Sequence, residues 1–168
     1  MAIDEETQLV LIGAGHSHLH LLKNIQELAK RNFKIILISP SQFYYNGVVP
    51  GEIGGIYPHK LGLIRVQCHL EPVNGVFIQD RVLEIDIQEK KVLLEKSPPL
   101  SYDIVSFNTG AQGNLPPNPS QIKMFPTRPV DYLWQFMKEL TVSAKISPNG
   151  LKIVVIGGGA AGVELACN

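Results

Sequence analysis

Two short glycine clusters carry residue types at a spacing that could do chemistry. Gly13-Ala14-Gly15 follows the continuous apolar run Leu9–Ile12 and precedes a helical apolar pattern (Leu21, Leu22, Ile25, Leu28, Ala29). Gly157-Gly158-Gly159-Ala160-Ala161-Gly162 follows the apolar run Leu151–Ile156 and precedes Val163-Glu164-Leu165-Ala166. Glycine leaves no Cβ in the way, so a diphosphate can approach the backbone N–H groups at a helix start, where the dipole favours negative charge. One such turn is a weak signal, with a purely structural turn as its alternative. Two of them, each between an apolar strand and a helix, point to two dinucleotide sites, a flavin site first and a nicotinamide site second. The second turn is a full G-x-G-x-x-G. In the first, His18 stands at the third glycine position, where close helix–strand packing favours a small residue, so the helix is expected to sit further from the sheet there.

Other reactive residue types need weighing. Ser39-Pro40 ends the second apolar run, where a nucleotide-binding unit usually places a carboxylate on the ribose hydroxyls; one serine hydroxyl lacks that charge-assisted pair. His16, His18 and His20 share a helical segment, but no carboxylate or cysteine stands near them in sequence, and a phosphate-binding helix start explains polar residues without a metal. Cys68 and Cys167 are the two cysteines; they are far apart and lack C-x-x-C spacing, so both thiols are expected to be free in a reducing cytoplasm.

The elements that must position these residues follow from periodicity. A first strand ends at Ile12, and a helix is expected from His16 to Arg31-Asn32, Asn32 taking the left-handed stop. Lys34–Ile38 is a second buried strand, completing a right-handed parallel βαβ unit. Residues 42–58, rich in glycine, proline and aromatics, read as a long excursion without a clear period, either functional or a surface connection pinned by its aromatics. His59–Val66 fits a short helix or turn. Gly75–Gln79 is a third strand; Arg81–Ile87 and Lys90–Glu95 alternate as an antiparallel hairpin turning at Gln88-Glu89; Tyr102–Phe107 is a further strand. Five prolines make residues 114–129 a linker. An amphipathic helix over 130–144 (Leu133, Phe136, Met137, Leu140) follows, with Trp134 beside its apolar stripe. Then come the turn Pro148-Asn149-Gly150 and a buried strand over Leu151–Ile156.

Composition bounds the partners. The 168-residue chain balances 15 acidic against 15 basic side chains, which disfavours nucleic acid or an anionic membrane as main partner. No apolar run approaches the roughly 20 residues needed to span a bilayer. The acidic start (Asp4, Glu5, Glu6) is unlike a targeting peptide, so a cytoplasmic location is expected.

These motifs resemble the pyridine nucleotide-disulfide oxidoreductase superfamily, the two-dinucleotide-binding-domain flavoproteins. The similarity is strongest to type II NADH dehydrogenases and to the NADH-dehydrogenase-like proteins associated with selenide, water dikinase. It is carried by Val10–His18, by Ser39-Pro40-Ser41 with Val49-Pro50-Gly51, by Tyr102-Asp103 with Thr109-Gly110, and by Ile156–Ala166. The resemblance implies an α/β, Rossmann-like, FAD/NAD(P)-binding three-layer fold with a central parallel sheet and an antiparallel β-meander. It implies FAD as cofactor, NAD(P)H as hydride donor and a quinone or another acceptor. Gly13, Gly15, His16, Ser17 and His18 would form the FAD diphosphate turn, with Ser39 and Pro40 by the adenosine ribose and Val82 meeting adenine through its backbone. Thr109 and Gly110 would lie along the phosphates or ribityl chain, and Tyr44–Gly51 would approach the isoalloxazine. Gly157, Gly159 and Gly162 would cradle the NAD(P)H diphosphate, and Glu164 would face the nicotinamide side. Tyr44 and Tyr45 fit equally a ring stacked on flavin or a cap on the core.

The implied organisation is an FAD-binding part over 1–113, a linker over 114–129, and the start of an NAD(P)H-binding domain over 130–168. In that family the FAD domain is completed by later sequence, so the chain is expected to be a truncated, inactive piece, with peripheral membrane association a property of the longer family members. A non-catalytic nucleotide-binding module is the alternative, favoured by Ser39 and His18, and a non-functional structural fragment is a third reading. In that last case residues 151–168 would pack against the first domain, self-associate through another copy, or be disordered.

Overall fold

The computed structural model describes residues 6–117 and 122–168. Asp4, Glu5 and, within the proline-rich stretch, residues 118–121 lie outside the described residues. In chain order the elements are β1 (Thr7–Ile12), α1 (His16–Lys23), α2 (Ile25–Ala29), β2 (Phe33–Ile38), β3 (Phe43–Tyr44), α3 (Val49–Ile53), β4 (Leu63–Ile64), α4 (Gln67–Leu70), β5 (Val76–Ile78), β6 (Val82–Asp86), β7 (Lys91–Leu94), β8 (Leu100–Ser101), β9 (Ile104–Phe107), α5 (Asp131–Ile146) and α6 (Ala160–Cys167). The chain divides into two compact units: Met1–Phe43 with Leu63–Gly110, and Tyr44–Gly62 with Ala111–Asn168.

The first unit is built on a parallel sheet of order β5-β2-β1-β9. Its central strands are apolar on both faces because both faces are covered. Leu9 and Leu11 of β1, with Ile35 and Leu37 of β2, pack on Leu22, Ile25 and Leu70 from the helices. The alternate residues Val10, Ile12, Ile36 and Ile38 pack on Val92, Val82, Ile85 and Leu100 from the antiparallel meander β6-β7-β8. Period-two alternation thus sends one half of each strand to the helical layer and the other half to the meander. The expected three-layer α/β arrangement with a central parallel sheet and a meander is what the structure has.

Local chemistry sets the edges of these elements. The helix expected to run unbroken from His16 breaks at Asn24, whose amide Nδ2 donates to the His20 carbonyl at 3.1 Å. That side-chain bond occupies a carbonyl the helix ladder would otherwise use, and α2 starts anew. Asn32 does take the left-handed stop, with φ 61°. The hairpin turns over residues 87–90, where Asp86 Oδ1 accepts from the Glu89 amide at 2.9 Å and Lys90 adopts φ 49°. Asp80, buried where the chain enters the meander, accepts from the amides of Arg81 (2.7 Å), Lys96 (3.2 Å) and Ser97 (2.8 Å). Burial alone would raise its pKa, but these bonds and the Ser97 hydroxyl hold it below the ordinary carboxylate value.

In the second unit the stretch over 42–58 is less irregular than its composition suggests. It holds a 3₁₀ turn at Asn46–Val48 and the helix α3, opened by Pro50 in its first turn, where the missing N–H costs nothing. α5 extends two residues past the expected Ala144. The buried strand expected over Leu151–Ile156 is not formed. These residues are in no strand, and Ile156 is 75% exposed. A strand is stabilised by its ladder, and among the described residues no partner strand pairs with this run. The helix after it, α6, contacts α3, with the Asn168 side chain against Gly54.

Leu37 is fully buried in the centre of β2. Leu37→Ala removes side-chain volume from a packed layer and is expected to lower the unfolding free energy by about 2–5 kcal/mol, measured by chemical denaturation.

Candidate functional site

The first turn is shaped by a neighbour that sequence reasoning missed. Gly13 has φ 90°, and a Cβ there would lie 2.2 Å from the Asn108 carbonyl oxygen. Gly15 is extended and caps α1; a Cβ on it would meet the Asn108 side-chain oxygen at 1.6 Å. Asn108, the residue after β9, therefore occupies the space both glycines leave open, and its own amide donates to Ile12 at 2.8 Å. Gly13 in turn donates to the Ile38 carbonyl at 2.7 Å. α1 starts with no side-chain cap and no acidic residue in its first turn, and His16 and Ser17 there are exposed. A helix start of this kind suits an anion. The sequence placed Asn108 only at the end of the strand Tyr102–Phe107; nothing in it announced which atoms would fill the glycine space.

The expected site residues of this unit sit at one edge of the sheet. Gly13 follows β1, Ser39 follows β2, and Thr109-Gly110 follow β9; these strands are parallel and in register, so their carboxyl ends coincide. Ligands of open α/β sheets bind at such ends. Ser39 is buried, its amide donating to Ile78 at 3.2 Å, and the Pro40 carbonyl accepts from Gln79 Nε2 at 3.3 Å. Gly110 has φ 76° with open space around it. Val82 is partly buried at the start of β6, paired with Leu94.

His18 does not stand off from the sheet. It is 3% exposed, with Nδ1 2.6 Å from the Gly13 carbonyl oxygen and Nε2 3.0 Å from Ser106 Oγ on β9. A carbonyl only accepts, so Nδ1 carries the proton, and in the neutral ring Nε2 accepts from the serine hydroxyl. Burial lowers its pKa, opposed in part by the Gly13 bond. His16 and His20 are exposed; the His16 ring lies edge-on to Phe43, centroids 4.9 Å apart. The three histidines thus do not converge, and among the described residues no group of three or more His, Cys, Asp or Glu could hold a metal.

The second turn repeats the first in backbone. Gly157 has φ 118°, Gly159 is extended and caps α6, and α6 likewise has no side-chain cap and no acidic residue in its first turn. Space around Gly157, Gly158 and Gly159 is open. Gly162 is required by packing, since a Cβ there would come 2.0 Å from the Gly157 carbonyl oxygen. Glu164 is exposed one turn into α6.

The same unit holds a buried carboxylate that the sequence reading passed over. Glu52 of α3 accepts from the Tyr44 hydroxyl (2.6 Å), the Lys60 amide (2.8 Å) and the Gly62 amide (3.0 Å), with His59 Nδ1 3.7 Å away. Burial works against its ionisation, but the Tyr44, Gly62 and Lys60 bonds and the His59 charge outweigh it and hold the pKa below 4.5. Burial, the bond to Glu52 and its charge all push the Tyr44 hydroxyl above its ordinary value, so Tyr44 is a donor and not a base. The Trp134 ring meets both Tyr44 (5.7 Å) and His59 (4.8 Å). A glutamate inside a glycine- and proline-rich stretch reads as surface until the fold buries it.

Comparisons with known proteins agree with this architecture. The family model for pyridine nucleotide-disulphide oxidoreductases matches residues 7–168. The chain is 21% identical over 168 residues to ferroptosis suppressor protein 1 of Xenopus tropicalis, covering 99% of this chain and 41% of that protein. Among solved structures it resembles NADH:rubredoxin oxidoreductase from Clostridium acetobutylicum, with a TM-score of 0.75 and 22% identity, covering 96% of this chain and 41% of that one. It also resembles the sulfide:quinone oxidoreductase from Aquifex aeolicus, with a TM-score of 0.68 and 19% identity, covering 84% and 33%. These structural likenesses are likenesses of fold. The chain spans about two fifths of the length of the curated relative it matches.

Glu52 gives the site a pH signature. With its folded pKa depressed, its stabilisation is present above its ordinary value of 4.5 and is lost as pH falls through the folded pKa. Glu52→Gln is expected to lower the melting temperature near neutral pH, and the gap from the wild type should close as pH falls below 4.5. Thermal unfolding of both proteins across pH would show it; a gap independent of pH would assign Glu52 a packing role only.

Proposed function

Since the chain belongs to the pyridine nucleotide-disulphide oxidoreductase family, we propose that it forms part of an FAD-dependent NAD(P)H oxidoreductase of the NADH-dehydrogenase type. The observation that carries this reading is the pair of glycine turns. Each has a first glycine at positive φ, a second extended at the helix cap, and a helix start without a side-chain cap or an acid. The residues present fit the two groups: α1 and α6 both start without a side-chain cap or an acid, and the space at Gly157–Gly159 is open.

In this reading Gly13, Gly15 and Ser17 hold the FAD diphosphate through backbone N–H groups and the α1 dipole, with His16 and His18 in the same turn. Ser39 and Pro40 sit by the ribose, Val82 by the adenine, and Thr109 and Gly110 along the phosphates or ribityl chain. Gly157, Gly159 and Gly162 cradle the NAD(P)H diphosphate, and Glu164 faces the nicotinamide side. Residues 1–113 then belong to the FAD domain and 130–168 to the NAD(P)H domain, joined by 114–129. Bound FAD would supply hydride acceptance from NAD(P)H and electron transfer to a quinone or another acceptor. Support for the quinone comes from the fold shared with the sulfide:quinone oxidoreductase. No helix among the described residues is long and apolar enough to cross a membrane.

The purified protein is expected to take up added FAD, seen as flavin absorbance retained after gel filtration and a raised melting temperature. Gly13→Ala and Gly15→Ala should each weaken FAD at least about tenfold, a change of about 1.4 kcal/mol. Binding of ADP or NAD without FAD would replace this reading with that of a non-catalytic nucleotide module; no uptake of any of them would overturn both.

A further inference from the structure

We propose that His18 is a positioning residue that does the work of the missing third glycine by tying the first turn to β9. The inference rests on the dinucleotide reading above and goes beyond it, since no glycine pattern assigns this residue a task. In the second turn the third glycine brings the α6 backbone against the Gly157 carbonyl, where a Cβ would stand 2.0 Å away. In the first turn the corresponding carbonyl, of Gly13, meets the His18 imidazole at 2.6 Å instead. The ring's other nitrogen reaches Ser106 at 3.0 Å. Ser106 lies in β9, two residues before Asn108, whose backbone and side chain fill the space beside Gly13 and Gly15. One side chain therefore holds both walls of the turn: the strand end that opens it and the strand that seats against it.

In the neutral ring the Ser106 hydroxyl donates to Nε2 while Nδ1–H donates to the Gly13 carbonyl. A proton on Nε2 leaves the Gly13 bond in place but turns the nitrogen facing Ser106 from acceptor to donor, so the serine hydrogen must rotate away and find another acceptor. Burial and the Gly13 carbonyl are the influences on this ring, and no charged side chain contributes; the other titratable groups of α1, His16, His20 and Lys23, are exposed.

The experiment uses ADP as probe and the whole chain. His18→Gly, which writes an ordinary G-x-G-x-x-G, is expected to weaken ADP at least about tenfold at about pH 7.5, measured by calorimetry. His18→Asn, whose side-chain amide can place an N–H near Nδ1, should stay within about threefold of the wild type. Nitrogen NMR of the wild-type ring should show the Nδ1–H tautomer. Wild-type or tighter ADP binding by His18→Gly, or an Nε2–H tautomer, overturns the inference. If the wild type binds neither ADP nor FAD, the dinucleotide reading fails, and the tautomer with amide exchange at Gly13–Gly15 decides the role of His18 alone: faster exchange in His18→Gly than in the wild type supports it, and unchanged exchange sinks it.

Discussion

The structure of the first unit depends on how β1 ends. The strand lies between two parallel neighbours, so its last backbone groups are bonded on both sides: Gly13 donates to Ile38, and Asn108 donates to Ile12. A chain leaving such a position has no room to wander. It must turn at once, with φ 90° at Gly13 and the Asn108 carbonyl where a side chain would begin. The turn starts α1 directly, without a capping side chain. The first N–H groups and the positive end of a helix are therefore delivered to the carboxyl edge of the sheet as a consequence of burying β1 on both faces. Because β2 and β9 run parallel and in register with β1, Ser39 and Thr109-Gly110 arrive at the same edge.

Where the chain leaves regular structure, two buried carboxylates take over the role of a ladder. Loop amides must be bonded wherever water is excluded. Asp80 accepts three of them at the entry to the meander, and Glu52 accepts two, with the Tyr44 hydroxyl, in the segment 44–62. Each acid resists burial as an anion, and in each the several donors outweigh that resistance, so both are held ionised. A carboxylate with several amide donors fixes a loop more tightly than a single turn bond does, and losing it strands every donor at once.

The parts of the fold legible in the sequence are those governed by local pattern. β1 and β2 show as unbroken apolar runs because both faces are buried; the meander shows as alternation; Asn32 shows as a residue that tolerates left-handed backbone. What escaped depends on partners distant in sequence. The break at Asn24 needs its side chain to choose the His20 carbonyl over solvent. α3 hides among glycines and a proline that only make sense once Pro50 is seen in a first helical turn. Leu151–Ile156 has every local mark of a strand, yet a strand exists only beside another. The site divides the same way. The glycines were legible as demands for space, while Asn108, which uses that space at the first turn, and Ser106, which anchors His18, were not.

The two turns show that the third glycine is a packing requirement and not a property of the turn's backbone. Their first glycines both take positive φ, and their second glycines are both extended caps. Yet one turn needs Gly162 so that helix backbone can lie against a carbonyl, and the other carries a whole imidazole at the same position. The Gly13 carbonyl is buried and needs a donor, whereas the Gly157 carbonyl is exposed and is closely approached by helix backbone. A glycine at position 18 would supply no side-chain donor, and any larger group in its place would have to bring a donor, N–H or O–H, to the Gly13 carbonyl. Histidine meets that demand and, through its second nitrogen, fastens the turn to a strand that a glycine could never reach.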